Sequence, residues 1–136
     1  MRFEHLSPMK KIKLIWILVL VGICFSCGND DEMSQEQEAQ NLKRMFSEIE
    51  SLASSESCKD SSNWTFTSVG NKACGGPSGF IAYSLNIETD VFLEKINEHK
   101  IAQQEFNKKW GIISNCSLPP QPSRVECENG KAVLKY

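Results

Sequence analysis

The sequence predicts a small α+β fold: an antiparallel sheet with a long helix packed on one face, an N-terminal amphipathic helix, and two disulfides. Three observations carry this expectation. Short segments with strand-like alternation lie on either side of a stretch with helical periodicity. Four cysteines, Cys58, Cys74, Cys116 and Cys127, fall in the last 79 residues of a 136-residue chain. Asn129-Gly130 sits between two short β-prone runs, and this dipeptide suits a two-residue hairpin turn because both central positions take positive φ.

At the start of the chain, Lys10, Lys11 and Lys13 precede an apolar run from Leu14 to Ile23, and small Ser26 stands directly before Cys27. The run is about half of the roughly 20 residues needed to cross a bilayer, so residues 1–26 read as an export signal and not as a stable span. Met9 offers a second possible start, since residues 1–8 add nothing such a signal requires. This arrangement resembles bacterial lipoprotein precursors, in which cleavage occurs before a cysteine whose sulfur carries a diacylglyceryl group. The resemblance implies that Cys27 is the lipidation site and that the protein is held in the bacterial cell envelope as an outer-membrane lipoprotein. Cys24 and Phe25 depart from the small and Leu-led box of that family, while Ser26 fits it; Cys24 itself is a poor acceptor because bulky Ile23 precedes it. Asp30, Asp31 and Glu32 resemble the acidic signal that sends some of these proteins to the outer face, and they serve equally as a solvated tether. Each buried methylene contributes about 0.8 kcal/mol, so two or three acyl chains hold a protein at a membrane where one holds it only marginally.

Removal of residues 1–26 takes Arg2, Lys10, Lys11 and Lys13 from the 15 basic residues and Glu4 from the 17 acidic ones, leaving a net charge of −5. That balance argues against a nucleic-acid backbone or an acidic lipid surface as partner, since both require clustered Lys and Arg. The membrane is therefore reached through the lipid anchor, no nucleic acid is expected as a partner, and no cofactor is implied. With Cys24 lost and Cys27 acylated, the remaining four cysteines are even in number, and in an oxidising compartment they are expected to pair. Three connectivities exist; Cys58 with Cys127 and Cys74 with Cys116 closes the longest single loop and ties the start of the domain to its end. A four-cysteine zinc site is the rival, and it lacks any Cys-x-x-Cys pair.

Residues 27–35 are polar and read as a lipidated flexible tether. Over residues 36–53, Leu42, Met45, Phe46, Ile49 and Leu52 share one helical face, with Lys43, Arg44, Glu48 and Glu50 largely opposite. The cysteine-bearing domain then spans 58–136. Trp64 and Phe66 alternate with Thr65 and Thr67 in a first strand over 63–69, and a second runs over 80–86. Between them Cys74-Gly75-Gly76-Pro77 forces a loop. Thr89 or Asp90 is expected to cap a long helix over 90–109 whose buried face is Phe92, Leu93, Ile96 and Phe106, with Gly111 as its stop. Ile112 and Ile113 suggest a short strand, Pro119, Pro120 and Pro122 an extended link, and 124–136 the closing hairpin.

Several of these pieces resemble a small domain found in exported bacterial proteins: Trp64 with Phe66, the run from Lys72 to Pro77, Tyr83-Ser84, Phe106-Asn107 with Trp110-Gly111, and Ser114-Asn115-Cys116. That resemblance implies one folded, cysteine-bearing unit and transfers no activity.

Catalysis is not the expectation. After the signal, His99 is the single histidine, and it has no free cysteine to act beside once the four are paired. Glu88 and Asp90 suffice in type for carboxylate-based hydrolysis, but they more simply serve the start of the long helix. The glycines at 75 and 76 are not a phosphate cradle, since no Lys-Ser/Thr helix start follows. A non-catalytic binding role fits better, with Gly75, Gly76 and Pro77 as a preorganised, inhibitor-like loop for a protein or glycan ligand. The same glycines also suit a mere tight turn, and Trp64, Tyr83 and Trp110 suit either an aromatic platform or core packing. The remaining alternative is an accessory subunit of a cell-envelope complex that docks through the 36–53 helix.

Overall fold

A computed structural model describes residues 32–136. The expected signal, Cys24, Cys27 as the expected lipid acceptor, and most of the expected tether lie outside the described residues. Helix α1 spans Gln35–Ala53, one 3-10 turn covers Ser61–Asn63, strands β1 (Trp64–Val69) and β2 (Gly79–Ser84) follow, then helix α2 (Thr89–Lys109) and strands β3 (Arg124–Glu128) and β4 (Lys131–Lys135). The α+β class is as expected. The strands form two separate two-stranded antiparallel sheets, β1 with β2 and β3 with β4, where a single small sheet was expected.

Helix α1 starts at Ser34, whose hydroxyl accepts from the Gln37 N–H while the Gln37 side chain accepts from the Ser34 N–H, a reciprocal capping box. Its apolar stripe ends in the core: Ile49 is 1% exposed and Ala53 is buried beside it. The opposite, polar face carries an Arg44–Glu48 pair one turn apart. Helix α2 contributes Phe92, Ile96 and His99, spaced four and three residues apart on one face. Leu93, expected inside, is 39% exposed because it falls off that stripe by one position. Neither Thr89 nor Asp90 caps this helix: Glu88 is the N-cap residue and makes no side-chain cap bond, so both expected caps sit in the first turn. The stop is as expected. Gly111 takes φ +59°, and the Ile112 N–H returns to the Asn107 carbonyl at 2.9 Å.

Ile49, Ala53, Val69, Tyr83, Phe92 and Ile96 form one core cluster, with the Tyr83 and Phe92 rings 4.7 Å apart. The two helices therefore cover one face of the β1–β2 sheet. Register decides which face it is. Thr65 pairs with Tyr83, Thr67 with Ile81, and Val69 with Gly79, so the threonines share the helix-covered side. Trp64, Phe66, Phe80 and Ala82 point to the other side, where Phe66 meets Phe80 edge-on at 6.1 Å. The alternation from Trp64 to Thr67 is real, but both faces are partly buried, so the aromatic face is not the one against the main core.

The closing hairpin has Asn129 at φ +51° and Gly130 at φ +78°, both positive as its turn demands. Ile112 and Ile113 form no strand; residues 112–122 have no regular structure, and Ile113 is 93% exposed. Pro119, Pro120 and Pro122 remove backbone donors from the end of this segment, which keeps residues 119–122 out of a ladder.

Candidate functional site

The β1–β2 loop, residues 70–78, is braced from inside and from two neighbours. Within the loop, Ser78 N–H donates to Val69 O, Lys72 N–H to Gly76 O, and Gly75 N–H to Lys72 O, each at 2.9 Å. From helix α2, the Gln103 side-chain oxygen accepts the Asn71 N–H at 2.6 Å, and Asn107 Nδ2 donates to Asn71 O at 2.9 Å. From the irregular segment, Asn115 Oδ1 accepts from Lys72 Nζ at 2.8 Å, and the Ser117 carbonyl accepts from the same ammonium. Gly75 and Gly76 take φ +93° and +84°, a region that side chains disfavour. A Cβ on Gly75 would meet nothing within 4 Å, whereas one on Gly76 would lie 2.6 Å from Leu118 Cδ2. The loop tip is thus open to solvent on one side and packed against Leu118 on the other. Leu118 is itself 62% exposed, so Ile113 and Leu118 place two large apolar side chains on the segment that braces the loop.

The four cysteines divide. Cys58 and Cys127 are bridged, with Cα atoms 5.2 Å apart across a separation of 69 residues, and the Cys58 N–H donates to Gly130 O at 2.9 Å. Cys74 and Cys116 are free, exposed thiols, so the second expected bridge is not closed. The two thiols still influence each other: Cys116 holds the Cys74 thiol below its usual range, with help from the Ser114 hydroxyl and the Lys72 charge, and Cys74 in turn pushes Cys116 up. Cys74 Sγ also lies 3.6 Å from Ser114 Oγ and 3.5 Å from the Asn115 carbonyl. A four-cysteine zinc site is overturned, since Cys58 and Cys127 spend their sulfurs on each other. No cluster of three or more metal-ligating side chains occurs among the described residues.

His99 is buried at 6% exposure between the two helices, its ring 5.4 Å from that of Phe46. Burial pushes its pKa down, against a hydrogen bond to the Leu42 backbone. Trp64, Tyr83 and Trp110 do not assemble into a platform. Tyr83 is in the core, Trp110 donates from Nε1 to Glu38 Oε2 at 2.8 Å, and Trp64 lines a separate open groove of about 560 Å³ with Phe80, Ala82, Ala132 and Leu134. The sequence reading missed this groove, because its walls come from two hairpins and the end of α1, whose docking no local pattern announces. Glu88 and Asp90 are both exposed at the start of α2. The Lys109 ammonium and the Trp110 N–H hold Glu38 below the usual carboxylate range, which ties the start of α1 to the end of α2.

No protein-family profile, curated protein or solved structure matches this chain.

Proposed function

We propose that this chain is an exported lipoprotein, held at a membrane surface through Cys27, whose folded domain is a non-catalytic binding module for a protein partner. The binding face is the 70–78 loop, with Gly75, Gly76 and Pro77 at its tip, together with Ile113 and Leu118 alongside. The observation that carries this reading is the bracing of the loop: its backbone bonds, the Gln103 and Asn107 contacts, and the Lys72 anchor fix its shape before any partner arrives. A loop already ordered loses little conformational entropy on binding, which is how rigid projections gain affinity. Exposed Ile113 and Leu118 supply apolar area next to it. A protein partner fits better than a glycan because the three aromatic side chains best suited to a sugar platform are dispersed. Docking of an accessory subunit through α1 has less support, since the apolar face of α1 is occupied by α2 and the sheet.

The test uses cross-linking of the full chain in its native envelope, followed by mass spectrometry. Ile113→Asp with Leu118→Asp is expected to remove a specific cross-linked partner that wild type retains; equal recovery with both chains counts against this face. Cys27→Ser is expected to move the protein from the membrane to the soluble fraction, and unchanged partition rejects the anchor.

A further inference from the structure

We propose that Cys74 and Cys116 form a reversible dithiol/disulfide centre in which Cys74 attacks and Cys116 resolves, and that its substrates are exposed disulfides. The inference goes beyond ligand capture and does not depend on it. Four observations carry it. Both thiols are exposed, so a disulfide can reach them, and Cys74 Sγ lies 3.5 Å from the carbonyl oxygen of Asn115, the residue that precedes Cys116. Cys74 lies on a loop fixed by backbone hydrogen bonds, while Cys116 lies on the irregular 112–122 segment. The surroundings of the two sulfurs differ in the hydroxyl: Ser114 Oγ lies 3.6 Å from Cys74 Sγ, while the Lys72 ammonium, held 2.8 Å from Asn115 Oδ1, favours the thiolate of either cysteine. Hydroxyl donation and a nearby cation both stabilise a thiolate, which is the attacking species. The opposite pKa directions of the two thiols agree with that assignment. Finally, the other cysteine pair among the described residues is withdrawn from exchange, since it is bridged and Cys58 is 2% exposed.

The chemistry balances with a disulfide, R–S–S–R, as oxidant. The Cys74 thiolate attacks one sulfur, the S–S bond breaks, and the first RS⁻ leaves and takes up the proton lost by Cys74. The Cys116 sulfur then attacks Cys74 Sγ in the mixed disulfide, releasing the second RS⁻, which takes up the proton from Cys116. Two protein thiols are oxidised to one bridge, and one R–S–S–R is reduced to two RSH. Closing the bridge ties the loop covalently to the segment that braces it; a dithiol reverses the step.

The full chain is equilibrated in glutathione buffers of stepwise reduced-to-oxidised ratio, quenched with acid, alkylated, and mapped at the peptides bearing Cys74 and Cys116. Both thiols are expected to become protected and then recover together as the ratio is cycled, while Cys58 and Cys127 stay protected throughout. Cys116→Ser is expected to trap one glutathione on Cys74, and Cys74→Ser to slow modification of Cys116 by about tenfold or more. Thiols that stay alkylatable at every ratio overturn the proposal. So does a bridge that glutathione cannot reopen, which is a permanent staple, and so do equal rates at the two cysteines. The wild-type titration decides the matter even if either variant misfolds.

Discussion

Cys58 and Cys127 are joined where the chain is already held: Cys58 is 2% exposed, its N–H is bonded to Gly130 O, and Cys127 is a strand residue paired with Ala132. Cys74 and Cys116 lie where the chain meets solvent, one at a glycine-rich tip and the other in a proline-bounded segment without a ladder. Both pairs are brought together by the fold, yet burial and backbone pairing make the first a staple, and exposure leaves the second open to chemistry. Cysteine parity alone does not separate these roles. Their surroundings do.

The largest expected effect is on the staple. Cys58→Ser with Cys127→Ser is expected to cost about 2–5 kcal/mol, the usual loss for a native bridge in a small domain. Urea unfolding of the reduced-pair variant against wild type measures it. A loss below about 1 kcal/mol would sink the distinction, because the hairpin would then be held by packing and by the Gly130 contacts alone.

The second test concerns what stiffens the exposed region. Gly76→Ala puts a side chain at φ +84° and a Cβ 2.6 Å from Leu118 Cδ2, whereas Gly75→Ala has a similar φ and open space. Each is expected to lose about 1–2 kcal/mol to backbone strain. Gly76→Ala alone is expected to shift the Leu118 methyl resonances, because only there must a neighbour give way. Matching methyl shifts in the two variants would mean that the loop does not pack on the 112–122 segment.

The contrast between the two pairs is not legible in the sequence, which predicts both as bridges, but much of the fold around them is. The Asn129-Gly130 turn, the 3.6-residue stripe of α1 and the Gly111 stop are local signals, each fixed by a few adjacent residues. The pairing of Cys58 with Cys127 was an expectation from loop closure, and the hairpin supplies its cause. What stayed hidden was non-local. Trp64 and Phe66 signal alternation, but not that both faces of the strand are covered; His99 between Glu98 and Lys100 looks like a surface residue until Phe46 and Leu42 of the other helix are placed against it. Lys72 reaching Asn115 and Ser117 across more than 40 residues has no sequence signature at all.

A third test sets the buried core beside the exposed site through pH. Desolvation lowers the folded-state pKa of His99 below its ordinary 6.5. At neutral pH the ring is uncharged in both states, and this group contributes no pH dependence. As pH falls through about 6.5, the unfolded chain takes up a proton that the folded one refuses, so stability falls until the folded pKa is passed. Glu38, lowered chiefly by Lys109, acts in a lower window: its contribution is present above the ordinary carboxylate pKa of 4.5 and is lost as pH falls below it. Urea midpoints between about pH 7.5 and 5 are expected to decline in wild type and to flatten in His99→Asn, which cannot titrate. A parallel decline in both proteins would assign the effect to other groups.

The smallest effect is the one that separates the two cysteine pairs most sharply. Cys74→Ser replaces an exposed thiol whose contacts with Ser114 and Asn115 are long, at 3.6 and 3.5 Å, and it leaves the backbone bonds of the loop and the Lys72 anchor in place. With the pair kept reduced, stability is expected to change by no more than about 0.5 kcal/mol, as for surface positions generally. Under oxidising conditions the variant is expected to lose whatever wild type gains from closing the 74–116 bridge. Unfolding in the presence and absence of reductant therefore reads the two pairs separately: the reductant-sensitive difference between wild type and Cys74→Ser belongs to the exposed pair, and the loss common to both belongs to Cys58–Cys127. If wild type and variant coincide in both conditions, the exposed cysteines contribute nothing to stability, and their contact matters only to thiol chemistry.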